Sequence, residues 1–310
     1  MINMEALIQM KQKKLGNYQY MIMTSTANNT NTNQLLPDRL SSEGAILNVQ
    51  VSTDEFAKAV LQLVDGIIPH IFIDVERKQP VPLWQIAEET CLDSVVHPLK
   101  ANDITVDAAI SIVIKELKKT FSLNTVMIYG TGNLATKAAL KLAEMGMKVI
   151  LVGRNGNKVA QIVTLLNDIL PSYTPWKIKA FHPDMVNKID VFISAISAQK
   201  VLDESWLEYL QPDGFVLDMG LNNFSETFID KILISNRSLY RVDIQAKIGT
   251  AILDLKTEDY FFSQIRGKIK WSNRTAVAGG IIGNENDIVL NRATPPYVVI
   301  GTSNGTGGLK

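Results

Sequence analysis

A glycine-rich motif at residues 130–135 has the clearest chemical meaning in this chain of 310 residues. It reads Gly-Thr-Gly-Asn-Leu-Ala and matches the pattern G-x-G-x-x-A, which is weak evidence when it stands alone. Here it follows the apolar run TVMIY and opens a helical pattern that ends at Gly146 before a second apolar run. That strand–turn–helix context is typical of a dinucleotide-binding fingerprint. A glycine turn without a ligand is the alternative that the pattern leaves open.

The fingerprint predicts a binding site for a pyrophosphate group. Gly130 would permit the tight turn, and Gly132 would let the backbone approach the anion. The first turn of the following helix offers free N–H groups and the positive end of the helix dipole. We therefore predict cofactor contacts from Gly130, Thr131, Gly132, Asn133, Leu134 and Ala135.

The residues after the second apolar run indicate which dinucleotide would bind. An NAD site usually has Asp or Glu here, which accepts hydrogen bonds from the ribose hydroxyls. This chain has Gly153, Arg154 and Asn155, with Lys158 one helical turn further on. A guanidinium can pair with a 2′-phosphate that a carboxylate would repel. We predict NADP, bound through Arg154, Asn155 and Lys158; a solvated arginine on a loop is the alternative.

Residues 128–158, IYGTGNLATKAALKLAEMGMKVILVGRNGNK, resemble the cofactor half of shikimate and quinate dehydrogenases. The second strand of that family ends in Asn-Arg-Thr-x-x-Lys, which Arg154 and Lys158 match, whereas Gly153 and Asn155 differ from it. The same half is similar to methylene-tetrahydrofolate and methylene-tetrahydromethanopterin dehydrogenases. The resemblance covers roughly residues 100–245 and implies an NADP-dependent oxidoreductase with an amino-acid-dehydrogenase-like N-terminal domain.

Two later segments acquire a role from this resemblance. DVFISAIS at 190–197 implies that Ser194, Ala195 and Ile196 line the ribose on the nicotinamide side. GFVLDMGLN at 214–222 implies that Asp218, Met219 and Gly220 contact the nicotinamide end. Both segments also fit ordinary core strands followed by turns.

Hydride transfer also needs a proton donor or acceptor beside the reacting carbon. The resemblance implies a Lys–Asp pair, with the aspartate in an Asn-Thr-Asp segment about two dozen residues before the first glycine. Asp107 is the closest positional match, and the nearby Lys100 and Asn102 complete the predicted catalytic set. Asp103 fits a helix N-cap as well as a catalytic role, and Arg77 and Lys78 fit surface charge as well as a cleft.

Apolar periodicity predicts alternating strands and helices along the chain. The predicted strands are 70–75, 94–96, 125–129, 148–152, 176–181, 190–195, 214–219 and 239–243. The predicted helices are 54–65, 82–90, 104–119, 133–146, 158–170 and 245–265, and the polar residues 24–34 predict a loop. This alternation predicts the α/β class, with an N-terminal α/β substrate domain and a doubly wound parallel Rossmann domain that enclose a cleft. We assign 1–121 plus 245–310 to the substrate domain and 122–244 to the Rossmann domain.

The apolar glycine run AVAGGIIG at 276–283 favours a second candidate function. It resembles the Pro-Gly-Gly-Val-Gly segment of methylene-tetrahydrofolate dehydrogenases, with Ala278 in place of the proline. Gly279 and Gly280 would then approach the nicotinamide or the substrate, unless they only form a tight turn. The sequence leaves open a methylene-tetrahydropterin type dehydrogenase and a non-catalytic NADP-sensing protein.

Composition excludes several other classes. The chain has 31 basic and 31 acidic side chains, and this balance argues against nucleic acid as a partner. The single cysteine, Cys91, and only three histidines argue against a metal site. No apolar stretch is long enough for a membrane span, and no signal peptide is recognisable, so we expect a cytoplasmic protein with a small-molecule substrate. A homo-oligomer is compatible with these observations.

Overall fold

The computed structural model describes residues 4–26, 32–117, 120–183 and 188–310. The chain divides into two compact units, Met1–Ile248 and Gly249–Lys310. The first unit contains two β-sheets, and the second contains one.

The first sheet lies in the N-terminal third of the chain. Its strands are β1 Tyr20–Thr24, β2 Gln34–Ser41, β3 Gly44–Gln50, β4 His70–Asp74 and β5 Val95–Leu99. The helices of this region are α1 Met4–Gln12, α2 Asp54–Val64 and α3 Leu83–Thr90, with a 3-10 turn at Leu15–Asn17. The order is β2-β3-β1-β4-β5, and only the β2–β3 pair is antiparallel. One face of the sheet forms a core with residues of all three helices.

The strands β1, β2 and β3 were not predicted from the sequence. Four of the five residues of β1 are buried, so this strand lacks the alternation of apolar and polar residues that signals a half-exposed strand. A shift of register between Leu36 and Arg39, around Pro37, interrupts the pattern of β2. The predicted loop 24–34 begins where β1 ends, and residues 27–31 of it lie outside the described ranges.

The second sheet has six strands, all parallel to their neighbours. They are β6 Thr125–Tyr129, β7 Lys148–Val152, β8 Lys179–Ala180, β9 Ile189–Ser194, β10 Leu210–Asp218 and β11 Leu239–Arg241. The surrounding helices are α4 Ala101–Glu116, α5 Asn133–Glu144, α6 Gly156–Ile169 and α7 Glu226–Ile234, with 3-10 turns at Phe121–Leu123 and Glu204–Tyr209. The order β8-β7-β6-β9-β10-β11 is that of a doubly wound Rossmann sheet, so the predicted fold class is confirmed.

Helix α4 begins three residues earlier than the periodicity predicted, at Ala101 rather than 104. The cause is tertiary, because the Glu76 carboxylate accepts the backbone N–H of Asn102 at 2.6 Å and satisfies the first turn of the helix. A carboxylate at this end also complements the helix dipole. Asn102 and Asp103 therefore lie inside the helix, and Asp103 is not its N-cap.

The apolar residues of α4 belong to the core of the second sheet. Val106, Ala109 and Val113 pack in one cluster with residues of α5 and of β6. The boundary that we predicted near residue 122 would assign this helix to the substrate domain. The domain limits stay a prediction, but the core membership of α4 favours a boundary before this helix.

The second unit contains a small four-stranded sheet. Its strands are β12 Gly267–Trp271, β13 Arg274–Ala278, β14 Glu285–Leu290 and β15 Val299–Asn304 in sequential order. Helix α8 Gln245–Tyr260 contains the boundary between the units and continues as a π-helical turn, Phe261–Ile265. A Cβ at Gly279, where φ is +65°, would lie 2.5 Å from the Arg266 Cα. This close approach explains a glycine at 279 without any ligand.

No described helix has the length and apolar character needed to cross a membrane.

We predict that the aromatic pair Phe224 and Phe228, which packs against the second sheet, contributes strongly to stability. Phe228 of α7 is fully buried, and its ring stacks on that of Phe224 at 4.3 Å between centroids. Phe228→Ala should lower the free energy of unfolding by about 3–5 kcal/mol in urea denaturation, because it removes buried apolar area and leaves a cavity. Ile234→Ala on the same helix is the control, since that side chain is 85% exposed and the change should be about 0.5 kcal/mol or less. Equal losses for the two variants would contradict this assignment of the core.

Candidate functional site

A cavity of about 630 Å³ opens in the first unit, where the carboxyl ends of several strands meet. Its walls come from the segments that follow β1, β4, β6, β7, β9 and β10, and from the first turn of α4. Ligands of open α/β sheets bind outside the carboxyl ends of the strands, where the strand order reverses. The reversal in this sheet falls between β6 and β9, at the centre of the cavity wall.

Gly130 follows β6, and its backbone passes very close to the loop after β9. A Cβ on Gly130 would lie 2.5 Å from the Ala195 carbonyl oxygen and 3.1 Å from the Ala135 Cβ, and φ at Gly130 is +152°. Only glycine fits there. Ala135 is fully buried, so the small residue at the last motif position allows the helix to pack against the strand. Gly130 and Ala135 therefore allow the close packing of strand, loop and helix beneath the cavity, and they do not line it.

Gly132, in contrast, faces open space. A Cβ built on it meets no described atom within 4 Å, and the residue lines the cavity together with Thr131, Asn133 and Leu134. No described side chain caps the amino end of α5. The first-turn N–H groups of this helix are thus available to an anion. Four of the six predicted motif residues line the cavity.

Arg154 lines the cavity at the carboxyl end of β7, as predicted. The glycine before it is required by packing, because a Cβ on Gly153 would lie 2.7 Å from the Thr131 Cγ2. The position where an NAD enzyme carries its carboxylate therefore has no room for a side chain. The charged side chain that borders the cavity at this end is therefore a cation, Arg154.

Asn155 and Lys158 have other surroundings than the sequence predicted. The Asn155 side chain is the N-cap of α6 and accepts the backbone N–H of Lys158 at 3.1 Å. This hydrogen bond satisfies the first turn of the helix through the side-chain oxygen and leaves the amide N–H groups of Asn155 out of the cap. The Lys158 side chain is exposed, and neither residue lines the cavity.

The loops after β9 and β10 form the opposite wall. Ala195, Ile196, Met219 and Gly220 line it, in agreement with the predicted positions. Ser194 was also predicted to contact the cofactor, but it is fully buried and its hydroxyl donates to the Asn223 side-chain oxygen at 2.6 Å. Ser194 therefore stabilises the wall through its buried hydrogen bond to Asn223.

Asp218 ends β10 and holds the loop that follows. Its carboxylate accepts the backbone N–H groups of Gly220 and Leu221 at 3.1 and 3.0 Å, and that of Asn223 at 3.3 Å. Burial raises the pKa of Asp218, although these N–H groups favour the charged form. Asp218 thus stabilises the loop. The contact with the nicotinamide end that the resemblance implies for it stays a prediction.

A second cationic side chain that borders the cavity is Lys78, in the loop after β4. Its Nζ lies 2.7 Å from the Asp74 Oδ2 and 3.5 Å from the Glu76 Oε2. The lysine side chain is 12% exposed and the Asp74 side chain is completely buried. Burial raises the pKa of Asp74, whereas the charge of Lys78 lowers it. Lys78 is therefore not the surface charge that its sequence context also allowed.

A polar network joins this loop to the fingerprint helix. Glu76 accepts the Asn102 backbone N–H and pairs with Lys137 of α5 at 3.4 Å, while Lys137 also pairs with Asp103. The Asn102 side chain lines the cavity and donates to the Asn133 side-chain oxygen at 3.3 Å. Asn102 is thus the one member of the predicted catalytic set that borders the cavity.

The other two predicted catalytic residues do not line the cavity. Asp107 pairs with Lys141 at 2.5 Å, and both side chains are close to half exposed. Lys100 is 67% exposed and its Nζ lies 3.9 Å from Asp103. Because α4 begins at Ala101, Asp107 lies almost two turns into the helix and pairs with α5 there. Lys78 does border the cavity, and its carboxylate partner Asp74 is buried behind it.

Hydroxyl groups complete the wall next to Lys78. Thr24 is the last residue of β1, Ser25 and Thr26 follow it, and Thr105 belongs to α4. Sequence reasoning did not find this set, because β1 itself was not recognised and polar residues after it were interpreted as a loop. Recognition of a strand at 20–24 would have predicted that these hydroxyl groups lie at the carboxyl end of that strand.

Comparison with other proteins gives weak overall similarity. No curated protein matches this sequence. A shikimate dehydrogenase solved in complex with NADP+ is 12% identical, with 81% of this chain and 91% of that chain covered and a TM-score of 0.46. The A chain of dipicolinate synthase from Bacillus subtilis is 17% identical over 77% and 78% of the chains, with a TM-score of 0.39. CAD from Helicobacter pylori, complexed with NADP(H), is 22% identical over 59% and 47%, with a TM-score of 0.37. TM-scores below 0.5 carry no argument about activity.

A family model gives the more specific result. The model of shikimate / quinate 5-dehydrogenase matches residues 112–221. This segment contains the fingerprint, Arg154 and the loops after β9 and β10, so the predicted resemblance is confirmed for this part of the chain. The match supports an NAD(P)-dependent oxidoreductase. Residues 112–221 are shikimate-dehydrogenase-like and carry a Rossmann-type fold.

Proposed function

We propose that this chain is an NADP-dependent oxidoreductase that transfers a hydride between the nicotinamide and a small polar substrate. The observation that carries the proposal is the pairing of an open anion cradle at Gly132 with a cation, Arg154, at the carboxyl end of β7. The cradle fits a pyrophosphate, and the arginine fits the 2′-phosphate that distinguishes NADP from NAD.

The residues of the cavity fit the cofactor on geometric grounds. The backbone N–H groups at Thr131 to Leu134 would bind the pyrophosphate, since no described side chain caps that helix end. Ala195, Ile196, Met219 and Gly220 would contact the nicotinamide half. When bound, the cofactor supplies a hydride donor or acceptor at C4 of its ring.

Lys78 is the residue that we assign to proton transfer. Its ammonium group lies at the cavity wall and is oriented by Asp74 and Glu76. From Nζ it can donate the proton that a substrate oxygen or nitrogen gains on reduction, and it can accept that proton in the reverse direction. Asp74 keeps the lysine in position through the 2.7 Å contact.

The substrate would lie among the hydroxyl and amide groups near Lys78. Several hydrogen-bond donors and acceptors border the cavity there. They belong to Thr24, Ser25, Thr26, Asn102 and Thr105. Such a lining favours a polar substrate over a purely apolar one. The methylene-tetrahydropterin alternative loses part of its support, because packing against Arg266 accounts for Gly279.

We predict that Arg154→Ala separates the two dinucleotides. Loss of the guanidinium should weaken NADP binding by about 10- to 100-fold, because a charge-assisted hydrogen bond to phosphate contributes about 1.5–3 kcal/mol. NAD has no phosphate for this side chain to contact, so its affinity should change about twofold or less. Isothermal titration calorimetry with both dinucleotides measures the difference.

Arg237→Ala is the charge-matched control for this experiment. Arg237 hydrogen-bonds the carbonyls of Leu210 and Pro212, at the amino end of β10 and therefore at the opposite edge of the sheet. This variant should bind NADP as the wild type does. Equal preference of the wild-type protein for NAD and NADP, or an equal loss for both in Arg154→Ala, would refute NADP specificity.

We predict that Lys78 is needed for turnover and not for cofactor binding. Candidate substrates for the wild-type protein are hydroxy acids, imines and reduced pterins. A change in the absorbance of the reduced nicotinamide in the presence of one of them would identify a substrate. Lys78→Met should then lower kcat by about 100-fold or more, the scale of general acid–base catalysis. Its NADP affinity should stay within about twofold of the wild type.

A second variant separates catalysis from stability. Lys78→Met leaves the carboxylate of Asp74 buried without its partner, which destabilises proteins by about 3–5 kcal/mol. The double variant Asp74→Asn, Lys78→Met removes that charge and should recover stability without recovering turnover. Recovered turnover would exclude Lys78 as the proton donor. Absence of turnover in the wild type with tight NADP binding would favour the NADP-sensing alternative.

A further inference from the structure

Asn223 is a fully buried polar residue that lies directly beneath the cavity wall. Both N–H groups of its side chain donate to the loop after β9, to the carbonyl of Ile196 at 3.0 Å and to that of Ala198 at 2.7 Å. Its side-chain oxygen accepts the hydroxyl of Ser194 at 2.6 Å. The two shorter N–H bonds of this carboxamide are thus directed into the loop after β9, and a longer contact of 3.4 Å reaches the Leu221 carbonyl.

The backbone of the same residue joins the two loops of that wall. The N–H groups of Val201 and Leu202 donate to the Asn223 carbonyl at 2.9 and 3.0 Å, and the Asn223 N–H donates to Asp218. Leu221 and Asn222 have φ values of +66° and +59°, a conformation that costs energy for residues other than glycine. A buried side chain that satisfies its surroundings completely can hold such a loop in one shape.

The order of the strands shows which half of a dinucleotide these loops would meet. The pyrophosphate cradle follows β6, and Arg154 follows β7 on one side of it. A nucleotide whose phosphorylated ribose lies at β7 must extend its other half in the opposite direction, over β9 and β10. The loops held by Asn223 follow those two strands.

We infer that Asn223 is a positioning residue for the nicotinamide half of the cofactor, acting through the carbonyls of Ile196 and Ala198. This inference rests on the proposed function, because it needs the dinucleotide in the cavity. Asn223 does not line the cavity, so its effect on the cofactor passes through the residues that do. The adenosine half, which lies beyond β6, would not depend on it.

The variant Asn223→Asp changes the two donors with little change of shape. The carboxylate can still accept the Ser194 hydroxyl, but it presents an oxygen to two carbonyl oxygens where the amide presented N–H groups. We expect the loop after β9 to move. The affinity for NADPH should fall about tenfold, while the affinity for 2′,5′-ADP, which contains only the adenosine half, should stay within about twofold. The fluorescence of bound NADPH should shift towards that of the free molecule, because the nicotinamide loses its fixed surroundings.

Ser194→Ala tests the same wall with a milder change. It removes the hydroxyl that fixes the side-chain oxygen of Asn223 and leaves both bonds to the loop carbonyls in place. NADPH affinity should fall about threefold, with 2′,5′-ADP again unaffected. This variant keeps the inference testable if Asn223→Asp does not fold.

Asn167→Asp, in helix α6, is the matched control. Asn167 makes the same kind of clamp, with its amide N–H donating to the Ile178 carbonyl at 2.9 Å and its oxygen accepting the Ile178 N–H at 2.8 Å. It does not line the cavity. The control should lower the melting temperature without changing the ratio of NADPH affinity to 2′,5′-ADP affinity.

The outcomes are separable. Parallel losses for NADPH and 2′,5′-ADP in the Asn223 or Ser194 variants, or no loss for either ligand, would overturn the positioning role while leaving NADP binding intact. A wild-type protein that binds neither ligand would overturn the proposed function and this inference together. A selective loss of NADPH affinity in these variants, absent in the Asn167 control, is the result that we expect.

Discussion

The backbone at Gly130 approaches the Ala195 carbonyl so closely that no side chain could stand between them. This contact joins the carboxyl ends of β6 and β9, the two adjacent parallel strands between which the strand order reverses. Most of the site depends on it. It brings the amino end of α5 beside the loop after β9, and the crevice between them is the cavity that the remaining residues border.

Buried polar groups then give the crevice its shape and charge. Asp218, Asn223 and Ser194 hold the wall from beneath, with their hydrogen-bonding groups turned away from the cavity. On the other side, Asp74 and Glu76 hold Lys78 at the surface of the cavity. These side chains form two networks of hydrogen bonds and ion pairs. Satisfied polar networks of this kind favour a single conformation of the surrounding loops. The residues available to ligands are few by comparison.

The strands and helices of the second sheet could be predicted well from the sequence, and β6 and β7 have the predicted limits. Their signal is local, since buried parallel strands are continuous apolar runs and the intervening helices have a clear period. The first sheet and the four-stranded sheet were mostly missed. The strand β2 is interrupted around Pro37, and β1 is buried without alternation, so neighbouring residues do not reveal these strands.

The candidate site divides in the same way. The fingerprint and Arg154 were found from the sequence alone, because a glycine turn and a cation after a strand are local features that imply an anion. Other features follow only from the tertiary structure: Lys78 borders the cavity and Lys100 does not. Likewise, Asp107 pairs with Lys141, and the Ser194 hydroxyl binds Asn223. Lys78 and Asp74 are only four residues apart, but the burial of this pair depends on the packing of segments far apart in the chain. Glu76, 26 residues before Asn102, accepts the N–H of the first turn of α4, and Asp107 further along that helix pairs with Lys141 of α5.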